Sequence, residues 1–403
     1  MTPAGADNLI AADGFVGTWS QLAAMDLPPA AAVFVRNSLE ALKVVWQHAI
    51  DQRETLVAAG ARYEPALVED LLDEGLSVVR QMSGADELLA PNTIRPAEPG
   101  RVWLLTSGST GRPKRVAHTL QSLLTVKGAQ PPRVWLCPYT PGAYAWWQVV
   151  SLTLLHPEQS LVCVDPTQSW AATAAEHGVT AASGTPTFWR QALMTQGEEL
   201  SRINLRQITL GGEPVDQDII DLLSQTFPDA RVSWIYASSE AGASIAVHDG
   251  KAGFPEHWLD RISDGRPRLS VDGIELLISS PHRGLGVNEV LRTGDRVEYR
   301  YGRVHIVGRL GSDEINVGGS KVSASHVRDT LLSHPGVSWA AVKGRRAPMV
   351  GQLVQANVVL KDPAVTEDDL FGYCRSRLSE VEVPRRIRFL DQIPLTESLK
   401  SDV

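Results

Sequence analysis

The sequence predicts an α/β protein: a large N-terminal domain of α/β subdomains with a small antiparallel β unit, followed by a small, mobile α+β C-terminal domain. Three observations lead there. Apolar strand-like runs alternate with helix-period segments from about residue 30 to Val247. Between Pro267 and Val307 the signals change to short strands with tight turns, such as GIELLIS and GRVHIVG, which predicts antiparallel pairing. After Arg309 a final stretch of about 95 residues carries strand and helix patterns of its own. The expected domains are therefore 1–308 and 309–403.

The elements follow in order. Residues 31–37 (AAVFVRN) read as a buried strand, and SLEALKVVWQHAID has apolar residues at helical spacing, with Ser38 placed to cap it. Residues 90–100, rich in proline and polar side chains, read as a loop. RVWLL then runs as an apolar strand into the glycine-bearing TSGSTGRPK. From Pro131 onward SLVCVDP and QITLGG read as strands, and SWAATAAEHGV and VDQDIIDLLSQTF as helices. In the last segment helices are expected over residues 325–333 and near 366–378, and strands near 339–342 and 355–360.

Composition narrows the function classes. With 43% hydrophobic and 21% charged residues, this is an ordinary globular chain, able to bury a large core without covalent staples. A net charge of −8 gives no basic footprint, so nucleic acid is not an expected partner. Cys137, Cys163 and Cys374 lie far apart, with neither metal-site spacing nor a disulfide framework, as in a reducing cytoplasm. The start MTPAGADNLIAADG lacks the basic and apolar regions of a signal peptide, and no run reaches the roughly 18 apolar residues of a membrane span. A cytoplasmic protein without membrane contact is the expectation.

The richest local chemistry lies in Thr106, Ser107, Gly108, Ser109, Thr110, Gly111 and Lys114, within TSGSTGRPK. Backbone N–H groups approach an anion closely where glycine removes the Cβ obstacle, and the hydroxyls and Lys114 add donors and a positive charge. A polyphosphate fits these needs; a flexible surface loop is the plainer reading, disfavoured because a buried strand leads into this one. No Gly-Lys-Ser/Thr stands at Walker A spacing, which argues against an ordinary P-loop nucleotidase.

Further stretches follow in a fixed order: YASSEAG (236–242), GIELLISSP, LRTGDR (291–296), GRLGSDEINVGGSKVS and IPLTESLKSDV. With the phosphate loop they cover roughly residues 102–403. The set resembles the adenylate-forming superfamily of acyl-CoA synthetases, adenylation domains of nonribosomal peptide synthetases, and luciferases. The resemblance implies an ATP-dependent ligase in which a carboxylate attacks the α-phosphorus of ATP and pyrophosphate leaves, a reaction that needs positioning and charge neutralisation more than covalent help.

Residue by residue, the resemblance implies that Lys114 and its loop hold the β- and γ-phosphates. Glu240 would bind Mg²⁺, for which a carboxylate is a proper ligand. Ser239, in place of the usual threonine, would keep a hydroxyl for a phosphate oxygen. Tyr236 would stack on adenine, flanked by Gly211, Gly212 and Glu213. Asp295 would accept hydrogen bonds from the ribose hydroxyls, and Arg309 would reach the ribose from the domain junction. Lys400 would bridge the reacting carboxylate and the nucleotide, a contribution of roughly 3–4 kcal/mol by analogy with one oxyanion donor. Gly318, Gly319 and Lys321 resemble a loop that enters the site for transfer to a thiol.

The chain also departs from the pattern. The part before the phosphate loop is short for the family, which would expose surface for a partner protein or a homodimer. The stretch 309–315 is one residue longer than usual, leaving Gly311, Ser312 and Asp313 all open as the hinge. Ala237 and Leu399 stand where glycines are usual.

Residues 138–150 (PYTPGAYAWWQVV) fall where the family places an acyl-pocket helix, and they carry no acidic residue to pair with an α-ammonium. An α-amino acid is therefore not the expected substrate. Tyr139, Trp146 and Trp147 predict a flat or compact apolar pocket for an aromatic or short acid, unless both tryptophans are core packing. Ser183, Gly184, Thr185 and Ala237 are the other expected walls. The acceptor is left open between coenzyme A, the phosphopantetheine of an acyl carrier protein, and an amine. A degenerate binding protein of the same fold is the alternative from another class, against which Lys114, Glu240, Asp295 and Lys400 stand.

Overall fold

The run Ala30–Val35 is a strand with every residue buried, because parallel neighbours and helices cover both its faces. In the protein, described by a computed structural model over residues 2–106, 113–124, 126, 128–311, 313–347, 351–395 and 399, this strand lies within a six-stranded sheet. Ser77–Arg80 and Glu54–Ala59 run parallel beside it, and the antiparallel pair Val102–Thr106 and Lys114–His118 closes one edge. The helix Ser38–Asp51 follows, but Asn37 caps it rather than Ser38: the Asn37 side chain accepts the Glu40 N–H at 2.9 Å. Two adjacent residues could each cap this helix, and the amide one position earlier does so.

A second sheet has eight strands. Its inner members run parallel in the order Arg231–Ser238, Gln207–Gly211, Ala181–Gly184, Arg133–Cys137, Gln159–Cys163 and Leu9–Ala12. Gly242–Val247 and Phe15–Thr18 add antiparallel edges. From Arg133–Cys137 the chain goes first to Gln159–Cys163 on one side, then returns to Ala181–Gly184 on the other. The loops leaving these strands diverge, and a crevice opens at such a switch point, beyond the C-terminal ends of the strands.

The antiparallel unit expected from the tight turns is a five-stranded sheet, Phe254–Pro255, Arg303–Arg309, Leu291–Arg300, Glu275–Ser279 and Arg268–Asp272. Beyond it Glu314–Val317, Ser320–Ser323, Val337–Ala347, Gly351–Leu360 and Arg386–Phe389 form another sheet, with helices Ala324–Leu332 and Glu367–Arg375. This last unit has its own core, including Val327, Leu331, Ala356, Val358 and Leu370. Leu399 does not join that core: it is 1% exposed and packs into the core of the large domain. Among the described residues no helix is long and apolar enough to cross a membrane.

His48 sits on Ser38–Asp51, 1% exposed, with Nδ1 3.1 Å from the Thr55 hydroxyl. Burial lowers its pKa from 6.5 to about 4, against the weaker upward pull of a backbone hydrogen bond with Arg53. The unfolded chain therefore takes up a proton at a pH where the native protein does not. The stabilisation is complete above pH 6.5 and is lost as pH falls through about 4. Between these limits the wild type should lose about 3 kcal/mol more than His48→Gln in denaturant unfolding. Equal slopes for the two proteins would rule out this assignment.

Candidate active site

The C-terminal end of Arg231–Ser238 and the antiparallel sheet meet at Tyr236 and Asp295. Asp295 is 8% exposed, and a carboxylate so placed needs partners. The Tyr236 hydroxyl donates to its Oδ2. Arg309 Nε donates to its Oδ1 at 3.1 Å, from the facing position of the neighbouring strand. The Asp295 N–H is held by the Thr293 hydroxyl at 3.0 Å. Burial, and then the Asp295 charge, push the Tyr236 phenol pKa well up, so the hydroxyl stays a donor. With its hydroxyl fixed on Asp295, Tyr236 can offer its ring only sideways from that bond.

Ser239 and Glu240 occupy the turn after that strand. Their support is His118, which sequence reasoning missed. His118 is 0% exposed; its Nε2 lies 2.7 Å from the Ser239 carbonyl and its Nδ1 2.9 Å from the Ser122 hydroxyl. A carbonyl only accepts, so Nε2 carries the proton that binds Ser239. Burial lowers the His118 pKa, keeping the ring neutral. The signal was a histidine closing the apolar run VAH of Lys114–His118. The turn is fixed further by Gly284 N–H on the Glu240 carbonyl at 2.8 Å. It also needs Gly242, at φ +73°, where a Cβ would lie 2.5 Å from the His282 carbonyl oxygen.

Thr106 and Lys114 are facing partners at the ends of their strands, so the phosphate loop starts and finishes at one place. Lys114 is exposed. Ser107, Gly108, Ser109, Thr110 and Gly111 lie outside the described residues, as do Ser312 and Lys400. Among the described residues no three His, Cys, Asp or Glu side chains converge as a metal site. Glu240 would thus hold Mg²⁺ as a lone protein carboxylate alongside substrate phosphates, a usual arrangement for this ion.

The expected acyl pocket is only partly as read. At the switch point the Tyr139 hydroxyl lies 3.0 Å from that of Ser183, and burial raises the phenol pKa. Gly184 packs so closely that a Cβ would come 2.5 Å from the Phe188 ring. Trp146 and Trp147 are both 0% exposed and meet edge-to-face in the core, the second of the two placements that their sequence leaves open. Their helix Tyr144–Leu155 is mostly apolar and buried around most of its circumference. The Glu213 carboxylate accepts the Thr187 N–H at 3.0 Å at the start of helix Pro186–Thr195. Gly211 ends its strand and Gly212 follows at φ +83°, while Ala237 lies at a bulge beside Tyr236.

Thr185, 1% exposed, caps that helix and also donates its hydroxyl to the Leu399 carbonyl. Leu399 is thereby held beyond the C-terminal end of Ala181–Gly184. Gly318 and Gly319, by contrast, form an exposed hairpin turn at φ +58° and +91°, and Lys321 Nζ pairs with Glu314 at 2.7 Å. Between the two units, the Leu310 N–H is bonded to the Gly294 carbonyl at 2.7 Å on the large-domain side. Asp313 accepts the Ser323 hydroxyl and the Ser325 N–H, each at 3.0 Å, on the other. Gly311, at φ +83°, lies between these two anchors.

The AMP-binding enzyme family model matches residues 24–284, and the AMP-binding enzyme C-terminal domain model matches 327–400. The chain is 28% identical over 337 residues to 4-hydroxybutyrate–CoA ligase 1 of Metallosphaera sedula, covering 73% of this chain and 59% of that protein. It is 29% identical over 341 residues to feruloyl-CoA synthase of an Amycolatopsis species, covering 74% and 67%. The match therefore spans about three-fifths to two-thirds of these relatives' lengths. The structure of ATP-bound MatB from Rhodopseudomonas palustris superposes with a TM-score of 0.70 at 19% identity, over 98% of this chain and 94% of that one.

Removing the His118 ring should leave the buried Ser239 carbonyl without its donor. His118→Ala should cost about 1–3 kcal/mol of stability for that group, measured by denaturant unfolding. It should also weaken Mg²⁺-ATP binding, measured by calorimetry, because the Ser239–Glu240 turn loses a support. Unchanged nucleotide affinity in a folded variant would show that His118 does not position this turn.

Proposed function

The chain belongs to the AMP-binding enzymes, and we propose that it uses ATP to activate a carboxylic acid as an acyl-adenylate, releasing pyrophosphate, and then passes the acyl group to a thiol. The observation that carries this reading is the seating of the tail: Thr185 holds the Leu399 carbonyl at the crevice beside Tyr139 and Ser183. Lys400, the cation assigned to the reacting carboxylate, follows Leu399 directly in the chain.

In the first step the carboxylate attacks the α-phosphorus and the P–O bond to pyrophosphate breaks. Asp295 accepts from the ribose hydroxyls, with Arg309 beside it, and the Tyr236 ring packs on adenine while its hydroxyl keeps Asp295 oriented. Lys114 and residues 106–111 hold the β- and γ-phosphates, and Ser239 meets a phosphate oxygen. A magnesium ion on Glu240 would neutralise phosphate charge. Lys400 balances charge on the carboxylate and the nucleotide. In the second step a thiol attacks the acyl carbonyl and AMP leaves. Gly318, Gly319 and Lys321 serve that step after the small domain turns about the linker that follows Leu310. The acid lacks an α-ammonium, since residues 138–150 offer no carboxylate to pair with one. With both indoles in the core, Tyr139, Ser183, Gly184 and Ala237 are the walls that select it. Coenzyme A is the first acceptor to test, because the named relatives are coenzyme A ligases; a carrier-bound phosphopantetheine offers the same thiol.

Exchange of labelled pyrophosphate into ATP should depend on an added aryl or short aliphatic acid and not on α-amino acids. Exchange with none of a broad acid panel would overturn the reading. Lys400→Ala should slow exchange about 10²–10³-fold and leave transfer from supplied acyl-adenylate to a thiol nearly intact. A bulky residue at Gly319 should do the reverse. Equal loss of both steps in Lys400→Ala would mean that one fixed orientation serves both.

A further inference from the structure

Helix Pro186–Thr195 meets the small domain twice: through Thr185 at its start, and through Arg190 in its middle. Arg190 is largely buried. Its Nη2 makes a two-pronged ion pair with Asp216 at 2.8 and 2.9 Å, and its Nη1 reaches the Ser338 carbonyl of the small domain at 3.4 Å. Asp216 cannot move to follow, since it also caps helix Gln217–Thr226 through the Ile219 N–H. Across the boundary stands Asp329 of helix Ala324–Leu332, half-buried and paired with Arg328 at 2.9 Å. Asp216 and Asp329 repel each other, while Arg300 of the large domain attracts Asp329.

We propose that Arg190 is a positioning residue that selects the orientation in which Leu399 is seated, by holding the Ser338 carbonyl of the small domain while Asp216 of the large domain fixes its guanidinium. This rests on the two-step reading above for its catalytic consequence, but not for its structural one. The residue touches no expected substrate atom. Without it, two carboxylates confront each other across the boundary with one fewer cation, and the small domain loses a charge-assisted hydrogen bond. Only the seated orientation is weakened, because the contact exists only there. The linker, rooted at Leu310 and Asp313, then spends more time exposed.

Three measurements on Arg190→Ala test this. Trypsin cleavage after Arg309, whose side chain is 69% exposed beside the linker, should accelerate several-fold at an unchanged melting temperature. Pyrophosphate exchange should fall about tenfold, the scale of one lost charged hydrogen bond, while transfer from supplied acyl-adenylate to a thiol holds or rises. Adding Asp329→Asn should recover most of the exchange, since it removes the repulsion that Arg190 offsets. Parallel loss of both half-reactions with a lowered melting temperature and no rescue would mean Arg190 only stabilises its helix, and the proposal fails. Faster linker cleavage in a protein that activates no acid would leave the latch standing and remove the proposed chemistry instead.

Discussion

One hydroxyl joins the two units at the site. Thr185 accepts the Phe188 N–H to begin its helix and donates its single proton to the Leu399 carbonyl. A hydroxyl has one donor and two acceptor sites, so both bonds can be made at once. The bond is only as well placed as the helix start, which Glu213 fixes through the Thr187 N–H. Helix cap, helix start and the Leu399 carbonyl therefore form one hydrogen-bonded series. Burial of Leu399 in the large-domain core adds an apolar anchor next to the polar one.

The nucleotide side is organised around a different constraint, a nearly buried carboxylate. Asp295 is tolerable where it is because a phenol and a guanidinium both donate to it. The antiparallel register supplies the guanidinium, setting Arg309 opposite Asp295. The residue before Asp295 accepts the Leu310 N–H, so the root of the interdomain linker is tied to the same turn. Events at Asp295 and motion of the small domain share a few residues of backbone.

These two constraints explain why the exposed and buried sets divide as they do. The Gly318–Gly319 turn is in solvent while Leu399 is seated. The turn belongs to the unit with its own core, whereas Leu399 packs into the core of the large domain. The charged contact that crosses the boundary is Arg190 with the Ser338 carbonyl, while the Arg190–Asp216 pair stays within the large domain; on the proposed opening little apolar area need be exposed where that contact parts.

The sequence by itself determined the alternation of strands and helices, the change to antiparallel pairing after Pro267, and the order of the motifs, because period and turn chemistry are local properties. It also singled out Asp295, Glu240 and Tyr236 by their neighbours in the chain. It left Trp146 and Trp147 open between pocket and core, since a largely apolar helix reads the same whether it lines a crevice or fills a core, and only the sheets packed around Tyr144–Leu155 decide which. It could not show His118 beneath Ser239, Thr185 holding Leu399, or Arg190 reaching Ser338, pairs separated by 121, 214 and 148 residues. Such contacts follow from strand order and domain placement, which leave no periodic trace in the chain, and so the partners of the polar groups at this site were settled only by tertiary structure.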